Sequence, residues 1–170
     1  EFCDPPSQMV FSKDGAALYL ATEGCNYLMV VNTQSNRVEQ KIQLDTTIGA
    51  FALSPGGFRM YVTSANGSKL YVVNPRTSSV IQTLPIGLNV IISNAKVDPT
   101  GSKLYLLSQQ RNAVYTIDLA NGQVLEKRNI QEPNEILIPE TSNKVFIASI
   151  RSGAFCFDRQ TGSPTQYISK

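Results

Sequence analysis

The chain has 170 residues, enough for one domain with a core of its own and short for two. Its 15 basic and 13 acidic residues leave a net charge of +2 without a cluster of either sign, which argues against a nucleic-acid or membrane-surface binder. It contains no histidine, the commonest general base and zinc ligand, and no apolar run approaches the roughly 18 residues that a membrane-crossing helix needs.

Taken from the N-terminus, Glu1 and Phe2 are what an EcoRI site encodes in frame. They are expected to be a cloning remnant, with the native start upstream. From about residue 8 the chain repeats itself. The segment Ser12 to Tyr19 (SKDGAALY) recurs as Ser54 to Tyr61 (SPGGFRMY), as Asp98 to Tyr105 (DPTGSKLY) and, weakened, as Pro139 to Phe146 (PETSNKVF). The aromatic positions 19, 61, 105 and 146 are 42, 44 and 41 residues apart. A second landmark, an Asn or Asp after an apolar residue, falls at Asn32, Asn74, Asp118 and Asp158, spaced 42, 44 and 40. Two independent marks keeping one period divide the chain into units at about 8–45, 50–86, 90–130 and 134–169, within one domain over 1–170.

Each unit resolves into four short strands bounded by turn chemistry. In the second unit they are expected over Ala50 to Leu53, Arg59 to Thr63, Lys69 to Val73 and Val80 to Leu84. Ser54 to Gly57 makes the first turn and Asn66-Gly67 the second, where glycine accepts positive φ at no steric cost. Asn74-Pro75 opens the third, with the Asn side chain suited to bond the backbone ahead; Asp118 and Asp158 do the same in the later units. In the third unit Ile91 and Ile92 read as part of a strand covered on both faces. The strands are apolar on both sides rather than alternating, so each sheet must be covered twice. Radially stacked blades do this and leave only short edges. No stretch keeps a 3.6-residue period, so helices should be few or absent. The fold class is therefore all-β, a β-propeller of four four-stranded antiparallel blades.

Met60 to Ser64 (MYVTS), preceded by Ser54 to Gly57 and followed by Leu70 to Asn74 (LYVVN), resembles the YVTN repeat family, and the likeness extends from about Gln8 to Ile168. The fourth unit departs from the pattern, with Glu140 and Thr141 in its first turn and Phe146 in place of Tyr. The resemblance implies an exported protein (extracellular, cell-surface or periplasmic) and usually about seven blades. Four blades make either a closed small ring or half of a larger ring, including one completed by a homodimer.

The motif specifies fold better than function. With no histidine and no clustered acidic motif, no catalytic residue, metal or cofactor is expected, and the reading is a non-enzymatic recognition or scaffold module for a protein or glycan. The alternative is a hydrolase or lyase using carboxylates and a metal, or a fragment of a larger propeller enzyme. Propellers present ligands to the loops between blades and between strands two and three. Candidate ligand-binding residues there are Asp45, Asn66, Asn89, Arg111, Asn112, Asn134 and Arg151, with Arg111 and Arg151 in matching places of adjacent blades and suited to an anion. Asn66-Gly67-Ser68 is also an N-glycosylation acceptor. Lys69, Lys103 and Lys144 recur near strand starts as marks of exposed edges. Cys3 and Cys25 should lie at one end of the first blade and form a disulfide, leaving Cys156 as a small buried hydrophobe.

Overall fold

The Asx and glycine landmarks set the turns, and the turns set everything else. The structure, a computed structural model, describes residues 5–168. Blade one is β1 (Pro6–Phe11), β2 (Ala17–Thr22), β3 (Tyr27–Asn32) and β4 (Arg37–Gln43). Blade two is β5 (Ile48–Leu53), β6 (Met60–Ser64), β7 (Lys69–Asn74) and β8 (Ser79–Pro85). Blade three is β9 (Asn94–Val97), β10 (Lys103–Ser108), β11 (Ala113–Asp118) and β12 (Val124–Asn129). Blade four is β13 (Pro133–Leu137), β14 (Lys144–Ser149), β15 (Gly153–Asp158) and β16 (Pro164–Ile168). Every sheet is an antiparallel meander in chain order, and the described residues contain no helix.

The hairpins follow from local chemistry. The Oδ1 of Asn32 accepts from the amides of Gln34 and Ser35, that of Asn74 from Arg76 and Thr77, that of Asp118 from Ala120, and that of Asp158 from Gln160 and Thr161. Four residues after each Asx the chain needs a left-handed residue, supplied by Gly122 and Gly162 in the later blades and by Asn36 and Ser78 in the first two, at φ 55° and 54°. In the strand-three to strand-four hairpin of every blade the register slips once, at Val30/Val31, Val72/Val73, Thr116/Ile117 and Cys156/Phe157. Such a bulge adds right-handed twist, which a radial blade requires.

The first strands β1, β5, β9 and β13 pack consecutively, β1 on β5, β5 on β9 and β9 on β13, and so form the inner wall. Three apolar cores fill the seams. Between blades one and two, Tyr19, Leu28, Val30 and Ile42 meet Phe51, Met60, Val62 and Tyr71. Between two and three, Tyr61, Leu70 and Val72 meet Leu104, Leu106 and Ile117. Between three and four, Tyr105, Leu107 and Val114 meet Ile136, Val145, Ile147 and Phe157. In blades one to three the repeating aromatic is thus the wedge that the blade drives into the next. Among the described residues no fourth core joins blade four to blade one.

The first strand of the third blade starts later than expected. The apolar run Val90 to Ile92 is loop, and β9 begins only at Asn94. Its burial alternates as a strand's would, with Val90 7%, Ile91 58% and Ile92 3% exposed, but its backbone lies against the β6–β7 turn. The Leu88 amide donates to the Gly67 carbonyl at 2.9 Å, and a Cβ on Gly67 would stand 2.6 Å from the Val90 carbonyl oxygen. Only glycine lets the loop seat there.

Candidate functional site at the propeller mouth

Loops between strands two and three and loops between blades share one end of the molecule, and repeated backbone bonds lock the two sets together. In blades one to three the residue after the fourth strand donates its amide to the loop of its own blade: Leu44 to the Asn26 carbonyl, Ile86 to Ser68 and Ile130 to Asn112, at 2.8, 3.0 and 2.8 Å. Their side chains are buried at the seams. Across the first seam, Ile48 donates to the Cys25 carbonyl, and within blade two Ala65 donates to the Thr47 carbonyl, prolonging the β5–β6 pairing into the loop between blades. Leu44, Ile86 and Ile130 keep the repeat spacing, so this lock carried a signal in the sequence.

The expected ligand residues mostly serve the same locking. Asp45 receives Lys69 Nζ at 2.6 Å and the Tyr71 hydroxyl, and these two hydrogen bonds hold its carboxyl below the usual range; burial, then the Asp45 carboxylate, pushes the Tyr71 phenol up. Asn66 Oδ1 accepts from the hydroxyls of Ser64 and Ser68 and from the Ser68 amide. Asn89, at φ 51°, donates to the Gly87 carbonyl. Asn112, at φ 49°, accepts the Glu132 amide at 2.8 Å, and Glu132 in turn holds Arg151 Nε at 2.8 Å. Asn134 takes Gln109 Nε2 on its side chain and Asn94 Nδ2 on its carbonyl. Arg111 is exposed in the loop next to Asn112. Asn112 and Arg151 are therefore brought together through Glu132, while the guanidinium of Arg151 already has a carboxylate partner.

The cavity at this end, about 460 Å³, is lined by other residues: Ser7 and Gln8 of β1, Glu23 and Gly24, Thr47 to Gly49, Ala65, and Ile91 to Ser93. None of the seven expected ligand residues lines it. Glu23 and Thr47 stand in loops the sequence marked; Ser7, Gln8, Ala65 and the isoleucines come from strand ends and a buried-looking run that gave no such sign. The mouth is built rigidly. Gln8 clamps the first seam by donating Nε2 to the Phe51 carbonyl at 2.7 Å and accepting the Phe51 amide on Oε1 at 2.9 Å. Thr63 plugs the β5 bulge, its hydroxyl donating to the Ala50 carbonyl and accepting the Ala50 amide. A Cβ on Gly49 would fall 2.8 Å from that hydroxyl, so the floor of the mouth admits only glycine. Ile91 is the apolar feature of the rim and Glu23 its exposed carboxylate.

Among the described residues no three Cys, Asp or Glu side chains converge as a metal site. Cys25 is buried in the β2–β3 loop; Cys3, its expected disulfide partner, lies outside the described residues. Cys156 is buried within β15.

The fold is that of a β-propeller. The solved structure of Kuenenia stuttgartiensis hydrazine synthase aligns with 96% of this chain and 49% of that one, with a TM-score of 0.80 and 19% sequence identity. The chain thus spans about half of that chain's length, and at this identity the likeness is one of fold alone. No protein-family model matches the chain, and no curated protein matches it.

Proposed function

We propose that this chain is a non-enzymatic recognition module of an exported or surface protein, of the YVTN-repeat kind, and that it binds a protein segment at the mouth described above. The observation that carries the reading is a rigid, concave mouth with an exposed isoleucine and a single carboxylate on its rim. Preorganised loops bind without an ordering cost, and an apolar anchor beside a polar rim is the usual composition of a protein-binding patch. A protein is favoured over a glycan because no aromatic ring lines the mouth for a sugar face to stack on.

The test is a display screen of random peptides against the immobilised chain, repeated with the double variant Ile91→Ser, Glu23→Gln. Selected peptides should bind the variant about tenfold or more weakly, the loss expected for removing a central anchor, while its thermal midpoint is unchanged. Peptides that bind both proteins equally would place recognition elsewhere; enrichment of a sialylated or neutral oligosaccharide on a glycan array, with no peptide selected, would replace protein by glycan.

Export carries a second expectation, the Cys3–Cys25 disulfide. Closing a loop of this length stabilises a fold by about 3 kcal/mol in the chain-entropy account, so reduction or Cys25→Ser should lower the urea midpoint accordingly. Mass spectrometry after alkylation of the unfolded, unreduced protein should find one modified thiol. Three modified thiols would remove the disulfide and the main chemical support for an oxidising location.

A further inference from the structure

At the end of the molecule opposite the mouth, the turn between β5 and β6 breaks the repeat at two positions. Position 58 is Phe where the other blades carry Ala16, Ser102 and Asn143, and position 56 is Gly where they carry Asp14, Thr100 and Thr141. The two departures belong together. In blade one the Asp14 carboxylate locks the turn by accepting from the Ser12 hydroxyl at 2.7 Å and the Ala16 amide at 3.1 Å. Blade two has no side chain to do this, and the Phe58 ring lies in its place: a Cβ on Gly56 would stand 2.7 Å from Phe58 Cδ2. Phe58 belongs to none of the three cores and, at 72%, is the most exposed large hydrophobic side chain among the described residues.

The ring borders a notch of about 570 Å³ between blades one and two, the size of a small-ligand cleft. Three polar groups of its wall are each held by one atom and leave the other free. Glu39 accepts Asn32 Nδ2 on Oε1 at 2.8 Å, Gln40 accepts the Ser78 hydroxyl on Oε1, and Asp14 uses Oδ1 alone. Among the described residues, Glu39 Oε2, Asp14 Oδ2, Gln40 Nε2 and the Arg76 guanidinium make no hydrogen bond. The notch therefore offers acceptors and donors together beside an apolar ring. A hydroxyl both donates and accepts, so a ligand with hydroxyls on its edge and a C–H face matches the whole set. Charge selects further: Lys13 and Arg76 balance Asp14 and Glu39, which leaves no net charge to favour an ion. Nor does the seam itself require the opening. In the corresponding notch between blades three and four, Arg159 stands where blade two has Pro75 and faces Asp98 across the seam, and Arg128 meets Glu126 and the Gly162 carbonyl. That cavity is smaller, about 360 Å³.

We propose that the notch between blades one and two is a second binding site, separate from the mouth, and that it takes a neutral saccharide. One pyranose lies with its C–H face on Phe58, whose ring face is the electron-rich side, and its hydroxyls meet Asp14, Glu39, Gln40 and Arg76.

Saturation-transfer NMR on the full chain with lactose, maltose and cellobiose tests this, followed by titration of whichever sugar responds. At least one of the three should receive saturation on its ring protons. Phe58→Ala should weaken its binding about tenfold or more, the loss expected for removing a central aromatic anchor. Gly56→Thr, which restores the residue of blades three and four and displaces the ring, should weaken it as well. Phe58 is exposed in a turn, so the thermal midpoint of Phe58→Ala should match the wild type, which separates loss of binding from loss of fold. The mouth variant Ile91→Ser, Glu23→Gln should bind the sugar as the wild type does, so this site and the mouth stand or fall separately. Absence of transfer to all three sugars overturns the proposal, as does undiminished binding by Phe58→Ala, or a preference for sialylated over plain lactose, for which a charge-balanced notch gives no ground.

Discussion

Tyr105→Ala is expected to destabilise the protein by about 3–5 kcal/mol, the range for removing a large aromatic from a sealed core, whereas Phe146→Ala, the same landmark one repeat later, should cost about 1–2 kcal/mol in dilute solution, in proportion to the smaller area it buries. Tyr105 is 1% exposed and its ring stands 6.1 Å from that of Phe157, tilted by 55°, across the third seam. Truncation leaves a cavity between two sheets whose backbones are fixed by their own ladders and cannot collapse into it. The hydroxyl contributes little: burial first, and the Asp98 charge second, push the Tyr105 phenol up to about 12, so it stays neutral and Tyr105→Phe should be nearly silent. Urea denaturation of the three variants at micromolar concentration checks the ordering. Equal costs at 105 and 146 would show that blade four's outer face is covered within the monomer.

The parts of this architecture that were legible in the sequence are those where a local chemical requirement recurs. Asn32, Asn74, Asp118 and Asp158 are fixed by what the backbone of a turn needs, and Tyr19, Tyr61, Tyr105 and Phe146 by the volume between stacked sheets. Each requirement acts within one blade or one seam, so it prints a period. The Val90 to Ile92 loop was not legible because its apolar alternation is a strand's; what decides otherwise is contact with Gly67, more than twenty residues away. The site was less legible still. Arg151 in sequence is a cation in a loop, and nothing local shows that Glu132 occupies it. The mouth itself is assembled from ends of β1 and β5 and the loop before β9, residues that meet only after the blades have stacked.

The seam between blades three and four also carries the molecule's sharpest expected response to acid. Asp98 opens the β9–β10 turn with its side chain 2% exposed. Burial works against its charge, but the Thr100 hydroxyl and the amides of Lys103, Ser102 and Thr100 all donate to it, and together they hold its carboxyl below the usual carboxylate range. Across the seam Arg159 Nη1 lies 3.7 Å from Oδ2, the Arg159 carbonyl accepts Lys103 Nζ at 2.9 Å, and Nη2 of Arg159 donates to Asn143 at 3.1 Å. A carboxyl depressed in the folded state contributes stability that is fully present above its unfolded value and is lost as pH falls through its folded value. Asp98→Asn keeps the shape but turns one acceptor oxygen into a donor facing an arginine and a hydroxyl, so it should cost about 2–3 kcal/mol at neutral pH, the scale of a hydrogen bond to a buried charge with one partner left unmatched. That difference between wild type and variant should hold steady from pH 7 to 5, start to shrink below about 4, where the carboxyl of the unfolded chain takes up a proton, and go on shrinking as pH falls through the lower folded value. Denaturation curves for both proteins across this range measure it directly. A difference that persists unchanged to pH 2 would mean that packing, and not the charge, holds the turn against blade four.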